Sequence, residues 1–183
     1  MRIFVAGASG AIGRQLLPLL AGHQVVGMTR SRPEVVRGLG AEPAVADVYD
    51  RERLFEVVGA ARPEVVVHLL TDLANRDFQA NNRIRREGTR NLLRAAVAAG
   101  ARRVVVESIS FEVPRGGAAA VAEMERLARE SGLEAIVLRF GLLWGPGTWY
   151  EKPEPEADFV HVREAAGAVR DAILGAAPRP GAR

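Results

Sequence analysis

The stretch Gly7-Ala8-Ser9-Gly10-Ala11-Ile12-Gly13 decides the fold. It sits between an apolar, β-rich run, Arg2–Ala6, and an apolar run with helical spacing, Ala11–Ala21. A turn from strand to helix needs glycine for three separable reasons: a sharp reversal, close approach of the backbone to a bound anion, and close packing of the helix on the sheet. The anion then meets the free N–H groups and the positive end of the helix dipole. Placed after the first strand of the chain, the turn predicts a site for a pyrophosphate-bearing dinucleotide, held by Gly7, Ser9, Gly10, Ala11, Ile12 and Gly13.

Outward from that turn, short apolar runs alternate with longer helical ones. Strands are expected at Arg2–Ala6, Gln24–Met28, Pro43–Ala46, Glu64–Leu69, Arg103–Glu107 and Glu134–Arg139. Several are nearly unbroken Val/Ile/Leu runs, as in a parallel sheet covered on both faces. Helices are expected at Ala11–Ala21, Pro33–Gly38, Asp50–Val58, Phe78–Ala99, Ala118–Ser131 and Val162–Leu174, with Pro18 bending the first. Gly22, Gly40, Gly100 and Gly132 punctuate helix ends. The alternation predicts an α/β, doubly wound parallel sheet, the three-layer α/β/α Rossmann fold. A single dinucleotide-binding domain is expected over residues 1–175, with a minimal substrate region at 145–160 and a disordered tail at 176–183.

Composition narrows the setting. The 183 residues are 48% hydrophobic and contain no cysteine, which excludes disulfides, thiolate catalysis and cysteine-bound metal. No run is long enough to span a membrane, and the immediate strand at Arg2 leaves no room for a signal peptide, so the expectation is cytoplasmic. The pI of about 10.1 comes with a net charge of only +3, because nearly every base is arginine and Lys152 is the only lysine. The basic run from Arg83 to Arg94 contains Glu87 and reads as a solvated helix face, so nucleic acid is not an expected partner. No His/Asp/Glu cluster has metal-ligand spacing, so no metal is expected. His68 and His161 read as packed histidines, and no Gly–Ser elbow supports a hydrolase.

The end of the second strand sets cofactor choice. An acid there would hold the ribose 2′-hydroxyl of NAD; the sequence instead runs Met28-Thr29-Arg30-Ser31-Arg32. Thr29 can hydrogen-bond a phosphate, and Arg30 and Arg32 can neutralise one, so NADP is expected over NAD.

With these residues in hand, the chain resembles the short-chain dehydrogenase/reductase superfamily, in its extended or atypical NAD-dependent epimerase/dehydratase-like branch. The likeness lies in the glycine turn, Ala46-Asp47-Val48, Val65-Val66-Val67-His68-Leu69-Leu70-Thr71, Gly88-Thr89-Arg90-Asn91-Leu92-Leu93, Arg103 to Ser108, Leu138 to Gly147 and Phe159-Val160-His161-Val162. It implies cofactor contacts from Asp47 and Val48 beside the adenine and from Leu69, Leu70 and Thr71 along the fourth strand's end. It also implies a homodimer through the helices near Phe78–Ala99 and Ala118–Ser131.

The family's catalytic tyrosine and the lysine four residues after it fall near Gly117 and Val121. The tyrosines present are Tyr49 and Tyr150, without a lysine at that spacing. The family's helix asparagine is Arg85, and the span from Gly147 to Phe159 is short for a substrate lobe. Candidate substrate-polarising hydroxyls are Ser108 and Ser110 at the end of the fifth strand. Two functions are then expected to compete. One is an NADP(H)-dependent oxidoreductase acting on a small or sugar-nucleotide-like carbonyl or hydroxyl substrate. The other is a non-catalytic NAD(P)-binding protein that senses redox state or regulates a partner protein.

Overall fold

The computed structural model describes residues 1–72, 77–114 and 116–175. Six parallel strands form its centre: β1 (Arg2–Ala6), β2 (Gln24–Thr29), β3 (Glu42–Val45), β4 (Val65–His68), β5 (Arg103–Ile109) and β6 (Glu134–Phe140). Their order is β3-β2-β1-β4-β5-β6, so the chain crosses from one half of the sheet to the other between β3 and β4. In such sheets the ligand crevice opens at the carboxyl ends of the strands flanking that switch, here β1 and β4, which pair in register from Ile3↔Val65 to Ala6↔His68.

Helices cover both faces. On one side α1 (Ala11–Leu16), α2 (Pro33–Gly38) and α7 (Val162–Leu174) bury Ile12, Leu16, Val36, Val169 and Ile173 against Ile3, Val5, Val65, Val67 and Val105. On the other, α3 (Arg51–Ala61) and α5 (Thr89–Ala98) pack Leu54, Val58 and Leu92 on Phe4 and Val66. Beside them α6 (Gly117–Arg129) packs Met124 and Ala128 on Val104 and Val106. Burial from both faces explains why these strands read as unbroken apolar runs. The fold is the three-layer α/β/α Rossmann arrangement.

Three details differ from the sequence expectation. The first helix does not run to Ala21: α1 ends at Leu16 and Leu17–Leu20 winds as a 3-10 turn. Pro18 has no N–H to donate, and its ring excludes the preceding carbonyl, so the chain tightens instead of bending. The expected helix Phe78–Ala99 is α4 (Phe78–Arg83), a π-turn (Ile84–Gly88) and α5. Beyond β6, where no strand was expected, Leu142–Trp144 (β7) and Phe159–His161 (β8) form a short parallel pair. The tail at 176–183 lies outside the described residues.

Candidate dinucleotide and substrate site

The glycine turn is built as its spacing implies. Gly7 has φ +90°, and a Cβ there would lie 2.5 Å from the carbonyl oxygen of Leu69. A Cβ on Gly13 would lie 2.4 Å from that of Ala8. Both neighbours are backbone, so only glycine lets β1, α1 and the end of β4 come this close. Ala8 N–H donates to Met28 O (3.1 Å), and Arg14 Nε donates to Ser9 O (2.9 Å), fixing the turn from both sides. No side chain caps the start of α1 and no acid stands in its first turn, so its amino end is open to an anion.

One cavity of about 490 Å³ starts at this turn and runs along the carboxyl edge of the sheet. All the residues assigned to the cofactor from sequence line it: the turn itself, Thr29, Arg30 and Arg32, Asp47 and Val48, and Leu69, Leu70 and Thr71. At the β2 end, the Ser9 and Thr29 hydroxyls bond at 2.8 Å, and Arg32 N–H donates to Thr29 Oγ1 at 3.2 Å. Arg30 is exposed and reaches Asp72 at 3.5 Å. Asp47 Oδ1 accepts from Tyr49 N–H (2.8 Å), which shapes the loop after β3.

The Gly88-Thr89-Arg90-Asn91 motif holds the walls of this cavity together. Asn91 Nδ2 donates to Val48 O (3.1 Å), and Gly88 lies against Val48. Thr89 meets His68 at the end of β4. Leu70 N–H donates to His68 Nδ1 (3.2 Å), which leaves the proton on Nε2, 2.8 Å from Thr89 Oγ1. Thr89 in turn donates to Ile84 O (3.4 Å) in the π-turn. Burial pushes His68 down to about 4, so it is neutral and structural.

The β5 end differs more from expectation. Ser108 lines the cavity, but it is buried and its hydroxyl donates to Glu125 Oε1 on α6 at 2.7 Å. Glu125 also takes two bonds from Arg139 (2.8 and 2.6 Å) and one from Arg129 (2.6 Å), which hold its carboxyl down at about 2. Ser110 is exposed, bonds Asp158 at 3.4 Å and does not line the cavity. Glu107, not singled out from sequence, faces the cavity, and burial pushes its carboxyl up to about 7 against the pull of Arg85. Arg85 lines the same cavity from the π-turn and is 8% exposed. The signal for Glu107 was a carboxylate closing the run Val104-Val105-Val106; Arg85 had been noted only as the loss of an asparagine.

The outer wall comes from Phe111, Val113, Leu143, Trp149 and Tyr150. The loop after β7 is tight: Gly145 N–H donates to Tyr150 O (2.8 Å), and Thr148 N–H to Gly145 O (3.2 Å). Trp144 meets His161 edge-on at 4.4 Å, and Tyr150 meets Phe159 at 4.9 Å. Gly147 comes up against Ala11 of the glycine turn, so this loop closes the cavity over its phosphate end.

A glycine-built dinucleotide cradle at the switch point of a doubly wound sheet defines a protein of the NAD(P)-binding Rossmann class. A profile of the NAD-dependent epimerase/dehydratase family matches residues 3–118, and the chain belongs to that family. It is 40% identical to a 3-diazoavenalumate denitrifying reductase of a Streptomyces species, over 94% of this chain and 72% of the relative. That alignment spans 224 positions, more than the chain's 183 residues, so the relative has internal segments with no counterpart here. A ceramide reductase of Caulobacter vibrioides is 29% identical over 79% of the chain and 47% of its own length. Among solved structures, the Bordetella bronchiseptica enzyme WbmH in complex with NAD+ superposes with a TM-score of 0.80 at 20% identity, over 96% of this chain and 73% of that one. The chain is an NAD(P)-dependent enzyme of the epimerase and reductase type.

Proposed function

We propose that the chain is an NADP(H)-dependent reductase of a small substrate, with Glu107 as the residue that exchanges the proton. The observation that carries this is the single cavity, continuous from the glycine turn and the Thr29–Arg32 cluster to Glu107 and Arg85. The glycine cradle, which a Cβ at Gly7 or Gly13 would fill, fits a dinucleotide pyrophosphate. Thr29, Arg30 and Arg32 fit the 2′-phosphate that distinguishes NADP. The Arg30–Asp72 pair is exposed, and such pairs are worth about 0–1 kcal/mol, so a phosphate displaces it readily.

A nicotinamide held along this crevice would supply the hydride, with Leu69, Leu70 and Thr71 after β4 and Glu107 on β5 as the residues that would hold it there. Glu107 holds a proton there near neutral pH and can pass it to an oxygen of the substrate. The Ser108 proton is committed to Glu125, which makes Ser108 a positioning residue for the end of β5. Phe111, Val113 and Trp149 give the outer part of the cavity an apolar lining. A homodimer is part of the same reading, supported by the exposed small residues Ala118, Ala119 and Ala122 on α6.

Calorimetric titration with NADPH and NADH, followed by NADPH oxidation against a panel of carbonyl compounds, tests the proposal. NADPH-selective binding and a rate that falls as pH rises through about 7 in wild type, but is low and flat in Glu107→Gln, is the expected result. Full activity of Glu107→Gln would assign the proton transfer elsewhere, with Tyr150 the next group in the cavity.

A further inference from the structure

A cation held by charge attraction alone faces the cavity: Arg85 feels the pull of Glu107. Arg85 is 8% exposed, and among the described residues it makes no hydrogen bond or ion pair. Guanidinium stays protonated at any working pH and offers five N–H donors, which here are open to the cavity for a ligand to meet. The π-turn puts it there. One extra residue per turn between Ile84 and Gly88 alters the facing of the side chains, and the Ile84 carbonyl is taken up by Thr89, itself fixed by His68. Turns of this kind gather at functional sites because they re-aim a side chain into a pocket. Glu107 faces the same space and attracts Arg85 through it, without a hydrogen-bonded ion pair among the described residues.

Resting on the reductase reading above, we infer that Arg85 is the receptor for a carboxylate on the substrate, a small acid whose body is flat and apolar. The planar fork of a guanidinium matches the two oxygens of a carboxylate. Phe78, Ile109, Phe111, Val113 and Trp149 line the same cavity and give it apolar surface suited to an aromatic or conjugated body. Phosphate groups have their own place at the glycine turn, where backbone N–H groups are free. Glu107 does not repel such an acid: burial keeps much of its carboxyl protonated near neutral pH, and in that form it donates a hydrogen bond.

The test uses cinnamate, a flat acid, and cinnamamide, its uncharged counterpart, titrated by calorimetry into the full chain with and without saturating NADP+. NADP+ affinity is measured in parallel for wild type, Arg85→Gln and Arg85→Lys. The expected result is cinnamate binding at least tenfold tighter than cinnamamide in wild type, with the preference lost in Arg85→Gln and partly kept in Arg85→Lys. NADP+ affinity should change less than threefold across the three proteins. Equal binding of the two probes by wild type, no cinnamate binding at millimolar concentration, or an unchanged preference in Arg85→Gln overturns the inference. So does a parallel loss of NADP+ affinity, which would make Arg85 a cofactor ligand. Failure of wild type to bind any dinucleotide would instead sink the reductase reading, while the cinnamate titration without NADP+ still decides Arg85.

Discussion

Replacing Glu125 by glutamine removes one negative charge and leaves the shape of the side chain. Glu125 is buried at 3% exposure and receives Ser108, Arg129 and Arg139. Its carboxyl, held chiefly by Arg139, is lowered from 4.5 to about 2. Because the folded value lies below the unfolded one, the stabilisation is complete above pH 4.5 and drains away as pH falls toward 2. A lowering of that size corresponds to about 3 kcal/mol. Arg129 and Arg139 are themselves about half exposed, so solvent screens part of this, and about 2 kcal/mol is expected at neutral pH. In a domain of this size that is a fall in Tm of about 4–8 °C.

Urea unfolding of wild type and Glu125→Gln, run from pH 7 down to the lowest pH at which wild type stays folded, measures it. The deficit should be constant from pH 7 to about 5 and shrink below 4.5. A double-mutant cycle with Arg139→Met should show coupling of at least about 1 kcal/mol, as expected for contacting charges. A deficit below about 0.5 kcal/mol at pH 7, within the spread of ordinary surface substitutions, would refute the claim that this cluster holds β5, β6 and α6 together. A deficit that does not change with pH would refute the claim that charge is its source.

Other substitutions probe the remaining parts of the site. Gly13→Ala should lose about 2–3 kcal/mol by chemical denaturation and abolish NADPH binding by calorimetry, since its Cβ meets backbone oxygen at 2.4 Å. Arg30→Ala should lower the NADPH/NADH affinity ratio about tenfold, the worth of one charge-assisted contact of about 1.4 kcal/mol; an unchanged ratio would leave Arg30 an ordinary surface base. His68 is lowered from 6.5 to about 4, so its folded form resists protonation, and on the order of 3 kcal/mol of stability should be lost as pH falls from 6.5 toward 4. In His68→Gln that part of the pH dependence should be absent from the urea midpoints.

What could be read from the sequence follows from the range over which each signal acts. The glycine turn is local: the close approach it permits is dictated by residues within one strand–turn–helix unit and by Leu69 of the adjacent strand, so its spacing alone announced it. The helix-ending glycines were equally legible, and Gly22, Gly40, Gly100 and Gly132 all have positive φ. The reductase end was not legible, because its residues acquire meaning only across the crevice. Ser108 and Ser110 looked equivalent in sequence, yet strand alternation turns Ser108 inward to Glu125, seventeen residues later on α6, and leaves Ser110 at the surface. No periodicity marks a π-turn, since one turn of altered winding leaves the apolar pattern of Phe78–Ala99 intact.

The π-turn is also where the departures from the family pattern connect. An arginine substituted for asparagine on a regular α-helix would be expected to extend toward water, as Arg83 and Arg86 do on either side of it. Here the relay from His68 through Thr89 to the Ile84 carbonyl supports the wider turn, and Arg85 stays buried opposite Glu107. Gly117 and Val121, near which the family resemblance puts the tyrosine and lysine, carry no titratable group, and on the proposed reading Glu107 carries the proton and Arg85 the positive charge. A Cβ at Gly117 would lie 2.6 Å from that of Val113, so a larger residue fits there only if Val113, a wall of the cavity, moves. On the proposed reading, Glu107 and Arg85 form a reorganised reductive site and not the remnant of the usual one. Its acid and its cation come from β5 and the π-turn, and α6 is left to anchor the sheet through Glu125.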